Sequence, residues 1–207
     1  MAVVITVAQR KGGAGKTMLA AQLAAALAAQ RRVAVLDIDP QRSLVRWHGL
    51  RAARAVAAVA LSDAAGWRLR AELERLGHAH DVLIVDTPPQ VDTEARLAVR
   101  GADLVLVPLQ PSPPDLWAAE GTLALAAAER RPARLVLNRA PAGGKLRAEV
   151  EAEMARRGWP VLATVLGNRA GFASAFAQGL GITETAPKSV AAAELRALLR
   201  EIEGIVG

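Results

Sequence analysis

This chain of 207 residues has no cysteine and no tyrosine, and aromatic residues make up only 3% of it. Without cysteine, neither a disulfide nor a thiolate-bound metal can form. The three histidines, His48, His78 and His80, are too few and too scattered to build a zinc site, and His78 and His80 read as part of a polar loop. The shortage of aromatics disfavours recognition of nucleic acid by base stacking. Phosphate-backbone contact remains open to a chain of net charge +6. No apolar run reaches the ~18 residues of a membrane span. The N-terminus has neither a basic leader nor a cleavage site, so the expected location is the cytoplasm.

Lysine is scarce too. Of the 26 basic residues only four are lysine, namely Lys11, Lys16, Lys145 and Lys188. Two of these four stand in one short segment, Gln9-Arg-Lys-Gly-Gly-Ala-Gly-Lys-Thr17, which follows the apolar run Ala2–Ala8. A buried strand feeding a glycine-rich loop that opens a helix is a phosphate-binding pattern. Backbone amides of Gly12, Gly13, Ala14 and Gly15 cradle the oxygens, Lys16 adds charge, and Thr17 offers a hydroxyl to magnesium. A compact ammonium enters such a loop where a planar guanidinium does not fit.

Apolar runs alternate with helical stretches along the whole chain. Strands are expected at Val3–Ala8, Val33–Asp37, Val82–Asp86, Leu104–Val107, Leu135–Leu137 and Val161–Val165, with a weaker one near Val56–Leu61. Helices are expected near Lys16–Ala29, Ser43–Ala53, Trp67–Leu76, Thr93–Arg100, Leu116–Glu129, Leu146–Arg157, Phe172–Ala177 and Val190–Ile205. The alternation, together with the phosphate-binding loop, predicts an α/β fold: one P-loop domain spanning 1–207, with a mostly parallel twisted sheet flanked by helices on both faces.

Two expected strands end in carboxylates. Val33–Asp37 runs into Ile38-Asp39-Pro40, and Val82–Asp86 into Thr87-Pro88-Pro89. At the C-terminal edge of a parallel sheet such groups face the ligand crevice, and beside a phosphate loop they can hold magnesium.

Arg10 stands where the usual phosphate-loop pattern has its first glycine, and a lysine precedes the glycine pair. With this loop, Asp37–Trp47, Asp86–Pro89 and Val107–Leu116, the chain resembles the deviant Walker A ATPases, which include ParA partition proteins and MinD. The resemblance spans essentially the whole chain and is strongest to short ParF-like ParA proteins. It implies ATP and ADP as ligands, with Mg2+. By the same resemblance Lys16 contacts the β- and γ-phosphates of its own nucleotide, while Lys11 crosses a dimer interface to the partner's. Asp39 orients the attacking water, Thr17, Asp37 and Asp86 form the magnesium shell, and Asn138 contacts adenine. Gln41, Ser43 and Pro89 resemble switch positions, and Pro113 and Asp115 a loop at the nucleotide or dimer face.

The partners it implies are a second copy of the chain, non-specific DNA, and a ParB- or ParG-like centromere-binding activator or a cargo adaptor. The ATP form would then be nucleoid-associated. Basic candidates for DNA contact are Arg169, Lys188 and Lys145, then Arg139, Arg147, Arg156 and Arg157. Arg169 is read as lying in a loop without neighbouring acids.

Two departures stand out. Met18 replaces a second threonine that the resemblance would place near the α-phosphate, and Arg10 replaces a smaller or uncharged residue. The expected activity is weak ATP hydrolysis stimulated by a partner, in DNA partition. The alternatives are a MinD-like or other cargo-positioning ATPase and a nucleotide-switched binding module with negligible turnover; a small-molecule synthase of the dethiobiotin type shares the loop, but the Asp39-Pro-Gln41 and Pro111-Ser-Pro-Pro114 stretches do not suggest it. The terminal helix pairs Arg196 and Arg200 with Glu194, Glu201 and Glu203 on its polar face, which disfavours a membrane anchor.

Overall fold

The computed structural model describes residues 2–63, 66–89 and 93–207. Its strands are β1 (Val3–Val7), β2 (Val33–Asp37), β3 (Val59–Ser62), β4 (Val82–Asp86), β5 (Leu104–Leu109) and β6 (Ala133–Leu137). They form one parallel sheet in the order β3-β2-β4-β1-β5-β6. Every residue of β2, β4 and β5 is buried, as a sheet covered on both faces requires.

The helices are α1 (Lys16–Leu27), α2 (Ser43–Arg51), α3 (Leu69–Gly77), α4 (Thr93–Arg100), α5 (Pro113–Ala128), α6 (Lys145–Arg156), α7 (Ala170–Phe176), α8 (Ile182–Thr185) and α9 (Val190–Val206). The period-two alternation of the strands sorts their side chains between two layers. Val33 and Val35, Val82 and Ile84, and Leu104 and Leu106 join α1, α2, α8 and α9 in one core. On the other face Ala34, Leu36, Leu83 and Val85 meet α3 and α4, while Val105, Val107 and Leu109 meet α5 and α6.

Helix α1 is buried around most of its circumference. Ala20, Ala21 and Ala24 have no exposed surface, and a Cβ on Gly181 would lie 2.6 Å from that of Ala25. In α9, Leu195, Leu198 and Ile202 are buried against this core, so the apolar stripe of the terminal helix packs on the body.

The structure corrects several expected elements. Residues 161–165 form no strand; Val161 makes a single parallel bridge to Leu135. The amides of Ala163 and Thr164 donate instead to the Glu201 carboxylate of α9, each at 2.7 Å, which takes them out of any ladder with β6. Strand β3 is shifted toward Ser62, and α8 is an additional helical turn. Helix α5 begins three residues earlier than expected, because Ser112 caps it and proline, with no amide to satisfy, opens it. Helix α9 begins at Val190 as expected, with Ser189 as its N-cap.

Candidate active site

The register of the central strands assembles the site. Asp86 of β4 lies opposite Asp37 of β2 on one side and Val7 of β1 on the other. The two carboxylates thus end neighbouring strands beside the point where the glycine-rich loop leaves β1. Their hydrogen bonding differs. Asp37 accepts from the amides of Asp39 at 3.1 Å and Val45 at 3.0 Å, and thereby holds the first turn of α2, whose N-cap residue Arg42 provides no side-chain cap. Burial still raises its pKa.

Asp86 is fully enclosed, and neither of its oxygens has a hydrogen-bond partner. Burial pushes it up to about 8, although the nearby Thr17 hydroxyl and Lys16 act in the opposite sense. Lys16 is buried as well, which lowers its pKa against the pull of Asp86 and Asp39.

The loop is braced from outside through its carbonyls. Gln110 donates to the carbonyl of Gly13 at 2.9 Å, Arg139 to the same oxygen at 3.3 Å, and Asn138 to that of Ala14 at 2.9 Å. Gln9, nearly fully buried, ties the loop's entry to β5 and α5 through the Pro108 carbonyl and the Thr122 hydroxyl. Among the described residues, none of the amides of Gly12, Gly13, Ala14 and Gly15 donates a hydrogen bond. Free loop amides followed by the N-terminus of α1 make an anion cradle. Gly15 is required twice over: its φ is +93°, and a Cβ there would stand 2.4 Å from the Asn138 amide nitrogen.

Two cavities open at this edge. One, of about 250 Å³, is lined by Gly12, Gly13, Gly15, Lys16, Thr17, Asp39, Gln41, Ser43 and Pro89, among others. The other, of about 300 Å³, lies between α1 and α7 and is lined by Leu19, Asn138, Leu166, Arg169 and Phe172, among others. The first is floored by the loop glycines and Lys16 and suits phosphates, and the second, walled in part by Leu19, Leu166 and Phe172, has room for a base. The donor set fits a magnesium nucleotide: an enclosed carboxylate with no partner, a hydroxyl beside it, and undonated amides around a lysine.

Most residues expected in the site converge here, namely Gly12, Gly13, Ala14, Gly15, Lys16, Thr17, Met18, Asp37, Asp39, Asp86 and Asn138. Lys11 does not point into the cradle; it is ion-paired with the buried carboxylate of Asp115, which also accepts from Ser112 and from the Gln110 amide. Arg169 is not free of neighbouring acids as expected: Glu194 of α9 binds it through two nitrogens. Lys145 is 3.7 Å from Glu149, and Arg147, Arg156 and Arg157 are also ion-paired. Lys188 is exposed and takes part in no ion pair among the described residues. Sequence reasoning missed Gln9 and Gln110 as braces; the available signal was a glutamine directly after a strand-like run.

A nucleotide-binding domain model described as CobQ/CobB/MinD/ParA matches residues 5–182. The chain belongs to this family. Within it the ParA/MinD ATPases are the relatives. It is 31% identical over 96% of its length, and 95% of the other chain, to Maintenance of carboxysome distribution protein A of Halothiobacillus neapolitanus. Apo McdA of Cyanothece superposes with a TM-score of 0.83 at 19% identity, covering all of both chains. MinD of Pyrococcus horikoshii with Mg-ADP superposes at 0.78 and 20% identity, covering 100% of this chain and 98% of that one. No helix among the described residues is long and apolar enough to cross a membrane.

Proposed function

We propose that the chain is a ParA-type ATPase that positions a large cargo, binding Mg-ATP at the loop of residues 11–17 and using non-specific DNA as its track. The observation that carries the nucleotide chemistry is the pairing of undonated amides at Gly12–Gly15 with the unpartnered carboxylate of Asp86. A magnesium ion bound beside Thr17 and Asp86 would neutralise phosphate charge. Lys16 holds the phosphates of its own nucleotide, and Asp39, at the edge of the cradle, orients the attacking water. Lys11 serves the partner's nucleotide in a dimer, so hydrolysis waits on association.

The cargo half of the reading is supported by the full-length similarity to a carboxysome distribution protein. Chromosome-partitioning relatives, such as Soj of Thermus thermophilus at 29% identity over 96% of this chain, keep a DNA cargo in view. A membrane-borne, MinD-like mode is disfavoured because α9 has its leucines in the core. The activator is a basic-tailed partner protein of the ParB, ParG or cargo-adaptor kind.

The test is binding to random-sequence duplex with ATP, with ADP and without nucleotide, at several salt concentrations. Salt-sensitive binding that needs ATP is expected. Equal binding with ADP would remove the switch, and no binding under any condition would remove DNA as the track.

A further inference from the structure

Among the described residues, the two cavities share two lining residues, Met18 and Arg139. Any ligand with a base in one and phosphates in the other has its first phosphate at this seam. Arg139 reaches the seam from the residue after Asn138, with its guanidinium over the loop. Nη1 donates to the Gly13 carbonyl at 3.3 Å, and Nε would lie 3.8 Å from a Cβ on Gly15.

Arg139 combines three features that, among the described residues, no other arginine near the site has together. Among the described residues it is in no ion pair, whereas Arg169, across the larger cavity, is held by Glu194. Its backbone is left-handed, with φ at +50°, a conformation that costs a side-chain-bearing residue and recurs at functional positions. That conformation is held by the Asn138 side chain, which accepts from the Arg139 amide at 3.0 Å while its nitrogen grips the Ala14 carbonyl. The asparagine therefore aims the arginine at the loop. A guanidinium whose contact there is one long bond to a neutral carbonyl has most of its donors left for an anion, and phosphate is the anion its fork matches.

The geometry points to Arg139 as the residue that binds the first phosphate of the nucleotide, from the seam between the base and phosphate cavities. Its neighbour at the seam explains the arrangement. Met18 offers no hydroxyl from the first turn of α1, and Arg139 supplies the missing donor from the opposite side. This assignment rests on the nucleotide reading above and takes Arg139 out of the set of DNA-contacting residues.

The experiment titrates ATP, ADP and AMP by calorimetry, and adenosine by ligand-observed NMR, into the wild-type chain and into Arg139→Gln, Arg139→Lys and Arg139→Gln with Met18→Thr. ATP, ADP and AMP should each weaken by about 10- to 100-fold in Arg139→Gln, with adenosine unchanged. Arg139→Lys should keep part of the affinity, and the added threonine should restore part of it. Should the glutamine variant fold poorly, Arg139→Gly, which suits the left-handed backbone, replaces it. Unchanged AMP affinity, an equal loss for adenosine, or a loss of DNA affinity alone would each overturn the assignment. A wild-type chain that binds no nucleotide would overturn the functional reading and this inference with it.

Discussion

The ammonium of Lys11 is ion-paired with the carboxylate of Asp115, a group with no exposed surface at the first turn of α5. The second lysine of the loop is thus held within its own chain, away from the cradle. If it acts on a partner's nucleotide, it must first leave Asp115. Asp115→Asn should lower the protein concentration needed for ATP-dependent dimerisation and raise unstimulated hydrolysis. Lys11→Ala should abolish stimulated hydrolysis at a stability cost of about 1–2 kcal/mol. That is less than for a fully enclosed pair, since Lys11 is partly solvated and Asp115 keeps two other donors. Sedimentation and phosphate release decide it; a Lys11→Ala chain that dimerises and hydrolyses normally would refute the trans role.

Asp86 carries a pH signature. Its folded pKa of about 8 lies above the ordinary aspartate value of 3.8. Between those values the folded state holds a proton that the unfolded state has lost, so this group makes stability fall as pH rises from about 4 to about 8. Asp86→Asn should therefore be more stable than wild type at pH 8 by an amount on the order of a few kcal/mol, and so melt higher, with little difference at pH 4. Mg2+ should narrow the gap at pH 8 by stabilising the wild type alone. A difference independent of pH would mean that Asp86 is not neutral in the folded chain.

Gly15→Ala should lose phosphate binding and about 2 kcal/mol of stability, because the left-handed backbone and the Asn138 side chain both oppose a Cβ. Gly12→Ala is the control: nothing lies within 4 Å of a Cβ there, so its melting temperature should stay near wild type. Paired melts and ATP titrations test both.

Lys188→Ala should weaken binding to random duplex and lower the salt slope by about one, as expected for one lost phosphate contact. Arg169→Ala should do less to DNA and more to stability, since its guanidinium already belongs to Glu194. The opposite ranking, measured over a salt series, would return Arg169 to the DNA face.

The site was more legible in sequence than its surroundings. Gly12 to Thr17, Asp37 and Asp86 are read from strand ends and glycine spacing, which local chain geometry dictates. The strand expected at 161–165 failed because a distant carboxylate, Glu201, captured two of its amides. The acid beside Arg169 was missed for the same kind of reason, since Glu194 lies 25 positions away in the chain. The same holds for Lys11, whose partner is 104 positions away. Pairings of this range are decided by how α5 and α9 pack, which no window of sequence contains.

The alanines of α1 bear on how tightly the loop can hold anything. A helix with Ala20, Ala21 and Ala24 enclosed, and Gly181 pressed against Ala25, has no room to swing. The end of the loop that joins it, at Ala14 and Gly15, is therefore held in place before a ligand arrives. The entropy of ordering those residues, about 1–2 kcal/mol each, is settled when the chain folds and is not subtracted again on binding. Affinity for phosphate is set in part by methyl groups that never touch it.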